Sequence, residues 1–269
     1  MSSTAQGRPR MARKSVRHPG LLTATLLASM LAAALSPAAE AAPPIRTSSA
    51  NPVPACVTPE RLMAFLTERN PNLDPRYRNI ADFYKLYGDG WHVRWDYAFF
   101  QMAIETNFLK YRRGDGRRGD VSPGQNNFAG IGATGNGVPG ERFPDVATGV
   151  HAQIQHLVAY SGERLQHPVA RRTKNNQDDI IKLSHRLGRP VTFGDLARRW
   201  AADRHYGKSI DFIASQFQDR FCSGQSVQAA QDVTPPPPRP VYRWQAFSTE
   251  PSGLGGPMPE AVPDPKSSR

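Results

Sequence analysis

The sequence predicts a mainly α domain, α+β in the broad sense, with one short irregular or β-containing segment. Three observations lead there. Apolar residues recur at helical spacing through most of 56–222, a Gly-rich basic stretch at 111–140 breaks that period, and ten prolines lie in 224–269. A window of about 165 residues holds one hydrophobic core. Predicted boundaries are a signal peptide at 1–41, a Pro/Ser/Ala linker at 42–55, the folded domain at 56–222 and a Pro-rich disordered tail at 223–269.

Each helix has a local signal. Thr58 caps a helix that starts with Pro59 and carries Leu62, Met63 and Leu66 on one face. A second helix at 75–87 carries Tyr77, Ile80 and Tyr84 and stops at Gly88. A third, at 94–109, aligns Trp95, Ala98, Phe99, Met102 and Leu109. Helix returns at 146–160 with Val150, Ile154, Leu157 and Val158, and a short one follows at 178–187. Thr192-x-x-Asp195 reads as a capping box for a helix ending near Ala201. The last, at 207–221, places Ile210, Ile213, Ala214, Phe217 and Phe221 on one stripe. That makes seven helices around one irregular segment.

The N-terminus reads as an export signal. Arg8, Arg10, Arg13, Lys14 and Arg17 precede an apolar run from Leu21 to Leu35, and Ala39-Glu40-Ala41 offers small residues for cleavage. The run is shorter than the roughly 20 residues that span a bilayer. The expected protein is periplasmic or extracellular, a monomer, with no integral membrane span after cleavage. In that oxidising setting Cys56 and Cys222, at the two ends of the domain, are most simply one disulfide.

The whole chain has 34 Lys+Arg against 23 Asp+Glu, a net charge of +11; removing 1–41 leaves 29 against 22, or +7. Such a balance favours a polyanionic partner. No nucleic-acid motif accompanies it, and export argues against one. The basic loop from Arg112 through Arg118 to Asp120 is either a solvated surface or an attractor for an anionic polymer.

Glu105 sits at the border of the third helix's apolar face, beside Ala98, Met102 and Leu109. A carboxyl group half-sunk in apolar surroundings has a raised pKa and can serve as a general acid. The structural alternative is a boundary Glu paired with Arg112 or Arg113. Downstream, Gln125-Asn126-Asn127-Phe128-Ala129-Gly130-Ile131-Gly132 combines amides, a ring and glycines, the chemistry of sugar recognition. Gly130-Ile-Gly132-Ala-Thr-Gly135 satisfies the dinucleotide pattern G-x-G-x-x-G, yet neither a strand before it nor a helix after it is predicted. No cofactor is expected. No metal is expected either, since His151 and His156, five apart, share no helix face well.

Together these segments resemble the bacterial glucosaminidase domain of autolysins and flagellar peptidoglycan hydrolases. The matching residues are Phe100-Gln101-Met102-Ala103-Ile104-Glu105-Thr106, then Asn126-Asn127-Phe128-Ala129-Gly130-Ile131, then Phe143-Pro144 with the stretch from Gly149 to Leu157, then Trp200-Ala201-Ala202-Asp203-Arg204-His205-Tyr206. They cover about 95–221. The resemblance implies a lysozyme-like helical fold with a short irregular or β lobe over a cleft. It implies a glycoside hydrolase that cleaves the β-1,4 bond after N-acetylglucosamine in peptidoglycan glycan strands. Glu105 matches the family's catalytic acid and Tyr206 its cleft tyrosine. Asn127, Phe128 and Gly130 match groove residues, and Gln101 and Asn126 join them as candidates for substrate binding. The lobe that holds a second carboxylate in many members is short here, leaving Glu141 or Asp145 as candidate base, or the substrate's own acetamido group. A lytic transglycosylase and a non-catalytic wall-binding module are the alternatives.

Overall fold

Helix α3 (Trp95–Glu105) is the axis of the structure. Every residue from Trp95 to Ala103 is buried, so it behaves as a core helix with no solvent face. Against it pack α2 (Ile80–Gly90), α4 (Val146–Tyr160) and α6 (Tyr206–Phe221), while α1 (Pro59–Arg69) packs on α2 and α6 and α5 (Arg171–His185) on α4. The computed structural model describes residues 42–113, 115–134 and 138–223. The signal-peptide reading and the Pro-rich tail beyond Ser223 fall outside these residues.

The chain is mainly α. Among the described residues only isolated β-bridges occur, such as Arg112 with Arg118. No helix of the described residues is long and apolar enough to cross a membrane.

Several helices form where their local signals place them. Thr58 accepts a hydrogen bond from Arg61 N ahead of Pro59. Asp145 caps α4 by accepting from Thr148 N at 2.7 Å. The apolar stripe of α6 buries Ile210, Ile213, Ala214 and Phe217.

Five boundaries differ, among them the start of α5, which lies at Arg171 and not at 178. Residues 75–77 form a separate 3-10 turn before α2. Gly88 does not end α2, because its missing side chain lets the helix pack on α3; a Cβ there would lie 2.2 Å from Trp95 Cβ. Helix α3 stops at Glu105 because Asn107, Phe108 and Leu109 all take positive φ, 47°, 56° and 60°. Thr106 closes that left-handed turn, its hydroxyl donating to Met102 O and accepting from Leu109 N. The Thr192–Asp195 capping box forms, but it heads only a 3-10 turn, Phe193–Leu196. Ala197 is extended and Arg198 has φ 60°, which ends any helix there.

Residues 42–55 are not a loose linker. Ile45 is fully buried, its N–H donating to Val191 O and its carbonyl accepting from Arg94 N. Phe193 N donates to Pro43 O in the same strip. The apolar Ile45, set among prolines and serines, is what draws the segment onto the helices. Beyond it Cys56 and Cys222 are bonded, with Cα atoms 5.3 Å apart. That bond closes α1 onto the end of α6.

Candidate active site

Three elements converge on Glu105. It is the last residue of α3; Tyr206 is the first of α6; Gly130 belongs to the loop between the basic stretch and α4. The Tyr206 hydroxyl donates to Glu105 Oε1. Gln101, one turn back on α3, donates from Nε2 to the same hydroxyl at 2.9 Å. A Cβ on Gly130 would lie 3.4 Å from Glu105 Oε2. With φ 64°, Gly130 also holds a backbone conformation that suits glycine. The loop backbone therefore comes close to the carboxyl group.

The electrostatics follow from burial. Desolvation pushes the Glu105 carboxyl up to about 7; the Tyr206 hydrogen bond opposes this, and the negative charge of Asp120 adds to it. The Tyr206 phenol is pushed well above its ordinary value, first by burial and then by Glu105. Neither arginine in the alternative pairing is engaged with Glu105. Arg113 pairs with Asp120 at 2.6 Å, and Arg112 donates to Gly116 O. A half-protonated carboxyl at neutral pH, held by a neutral phenol, can give a proton to a leaving oxygen.

The amide-rich segment has a different role from the one its composition suggests. Asn127 is fully buried: Nδ2 donates to Ile131 O (2.8 Å) and Glu141 O (3.0 Å), while Oδ1 accepts from Ile131 N (2.9 Å). Asn126 Nδ2 donates to Phe143 O at 3.1 Å. Phe128 is fully buried and packs edge-on to Tyr77. Gln101 is equally buried. The Asn126 and Asn127 amides thus bond backbone groups of the loop, and the Gln101 amide bonds the side chains of Tyr206 and Gln153. Of the expected substrate contacts, Gly130 lies beside the carboxyl group and Gln101 is linked to it through Tyr206.

Glu141 is likewise occupied. Its two oxygens accept from Arg171 N (2.9 Å) and Arg172 N (2.6 Å), capping the N-terminus of α5. Asp145, the other candidate base, caps α4.

Two neighbours, Asp120 and Trp200, have no site role assigned from the sequence. Asp120, inside the basic loop, acts on Glu105 through its charge. Trp200 donates from Nε1 to Ala129 O at 3.1 Å, pinning the peptide that leads into Gly130. Trp200 is half-buried against His156 and Tyr160, with ring centroids 4.8 and 5.0 Å away. His156 is held neutral, burial driving it down to about 3, and bonds Thr173 Oγ1 at 2.9 Å. Among the described residues no group of three or more His, Cys, Asp or Glu is arranged to hold a metal.

No protein-family model and no solved structure matches the chain. A protein of Borreliella burgdorferi, described as uncharacterized, is 35% identical over 157 residues, covering 57% of this chain and 70% of that protein. On that identity and coverage, the chain belongs to the same family as the Borreliella burgdorferi protein.

Proposed function

We propose that this protein is a peptidoglycan hydrolase with a lysozyme-like helical domain, cleaving the β-1,4 bond after N-acetylglucosamine with Glu105 as general acid. The observation that carries the reading is the Glu105–Tyr206 pair beside the Gly130 backbone, with a carboxyl group pushed up to about 7. Such a group is protonated in a large fraction of molecules near neutral pH. It donates its proton to the glycosidic oxygen as the C1–O bond breaks. The resulting carboxylate then takes a proton from the attacking water.

With Glu141 and Asp145 both spent on helix N-termini, the anomeric carbon is served by the sugar's own acetamido oxygen. The same single-carboxylate geometry favours a second reading, a lytic transglycosylase, in which the muramic acid 6-hydroxyl replaces water.

The test is to incubate the protein with purified peptidoglycan and identify the soluble fragments by mass spectrometry. Reducing N-acetylglucosamine ends, absent with Glu105→Gln, support the hydrolase. Anhydromuramic ends transfer the assignment to the transglycosylase. Binding without release, unchanged in Glu105→Gln, overturns both and leaves a wall-binding module.

A further inference from the structure

We infer that Gln153 and Gln101 are positioning residues that lock Tyr206 as a hydrogen-bond donor to Glu105, confining the acidic proton of Glu105 to Oε2, the oxygen beside Gly130. The mechanistic consequence, though not the hydrogen-bond geometry, rests on Glu105 acting as a general acid.

The argument begins in the core, with groups whose orientation has no alternative. The carbonyl of Ala98 is only an acceptor, and Gln153 on α4 meets it at 3.0 Å. The Gln153 atom facing Ala98 must therefore be Nε2, and its carbonyl oxygen must face Tyr84, whose hydroxyl donates to it at 2.5 Å. The same Nε2 reaches Gln101 at 2.9 Å, so the Gln101 atom it meets must be Oε1. The other end of Gln101 is then Nε2, which donates to the Tyr206 oxygen at 2.9 Å. A phenol that accepts from Gln101 has its single proton left for its other neighbour, Glu105 Oε1. Each link is fully buried or nearly so, with Tyr84, Gln153 and Gln101 at 0% exposure and Tyr206 at 5%. Water is therefore not at hand to reverse the order.

The polarity matters most when Glu105 carries a proton. With Tyr206 free to turn, the acid would donate to the phenol oxygen, and its proton would face the core. With Tyr206 held as a donor, Oε1 is already an acceptor, and the proton belongs on Oε2. That oxygen is the one next to Gly130, the approach expected for a substrate. The other charged group acting on Glu105 is Asp120 from the basic loop, while Gln101 acts on Tyr206. Tyr160 on α4 acts on Tyr206.

The experiment is a ¹³C NMR titration of the Glu105 carboxyl in the full chain, assigned by its loss in Glu105→Gln, and it needs no substrate. Losing the donor in Tyr206→Phe is expected to raise the midpoint by about one pH unit. Gln153→Met frees Gln101 to turn and lets the protonated acid donate inward, so it is expected to raise the midpoint by at least about half as much. Tyr84→Phe leaves Gln153 anchored on Ala98 and is expected to leave the midpoint in place. Gln177→Met, a control at a buried glutamine bonded to Leu165, is expected to leave it too. An unchanged midpoint in Gln153→Met, or a shift in Tyr84→Phe as large as that of Gln153→Met, overturns the inference. Neutron diffraction from the unmutated protein reads the same order directly. A Tyr206 proton directed at Gln101 overturns the inference without any variant, and a failed peptidoglycan assay leaves both measurements standing.

Discussion

Gly149 and Asn126 meet more closely than any side chain would allow: a Cβ on Gly149 would lie 1.8 Å from the Asn126 carbonyl oxygen and 2.9 Å from the ring of Phe128. The amide-bearing loop is thus seated directly on the backbone of α4. Gly149→Ala is expected to lower stability by about 3 kcal/mol, since the atom in the way is a backbone carbonyl. Urea unfolding checks this, and a loss under 1 kcal/mol would mean the loop can slide off α4 cheaply.

In the proposed mechanism Glu105 sets catalysis against stability. Its folded value, about 7, lies above its ordinary 4.5, so the folded chain holds the proton more tightly than the unfolded one. The stability this contributes is complete below pH 4.5 and is lost as pH rises through 7. Glu105→Gln removes that loss. It is expected to stabilise the protein at pH 8 by roughly 1–3 kcal/mol while abolishing turnover of peptidoglycan. Denaturant melts at pH 4 and pH 8 read the first effect and fragment release the second. Equal stability of the variant and the parent at pH 8 would refute the buried-acid account.

His156 has the opposite sign. Its folded value of about 3 lies below the ordinary 6.5, so the unfolded chain takes the proton first as pH falls. Stability declines from pH 6.5 down to pH 3, by on the order of 4 kcal/mol if no other group intervenes. His156→Gln, which keeps a partner for Thr173, is expected to flatten that acid limb. The slope of the unfolding free energy between pH 4 and pH 6 is the measurement.

Glu141 separates a structural carboxylate from a catalytic one. As the acceptor for Arg171 N and Arg172 N, it stabilises the first turn of α5. Glu141→Gln is expected to cost about 1 kcal/mol of stability and to leave kcat within threefold of the parent. A thousandfold fall in kcat with unchanged stability would restore it as the base.

The sequence made most of the helices legible because their determinants are local. Thr58 and Pro59, or the stripe on α6, need no distant partner. The start of α5 was missed because its cap, Glu141, arrives from 30 residues away. Asn126, Asn127 and Phe128 were legible as one unit but not in their direction. An irregular loop has no periodicity to say which amides face in, and here they hold the loop's own carbonyls. Glu105 could be read because helix geometry places it among apolar neighbours. The directed link from Ala98 to Tyr206 spans three helices and leaves no linear trace.

The bond between Cys56 and Cys222 also decides where tension travels. A pull on Ala42 and Ser223 first meets residues 42–55, whose bonds to Val191, Arg94 and Phe193 can unzip one at a time. It then crosses from Cys56 to Cys222 through a covalent link, bypassing every helix between them. Fourteen residues drawn straight give about 50 Å of slack. Beyond that length the load runs through sulfur, and the helices that hold Glu105 and Tyr206 bear none of it.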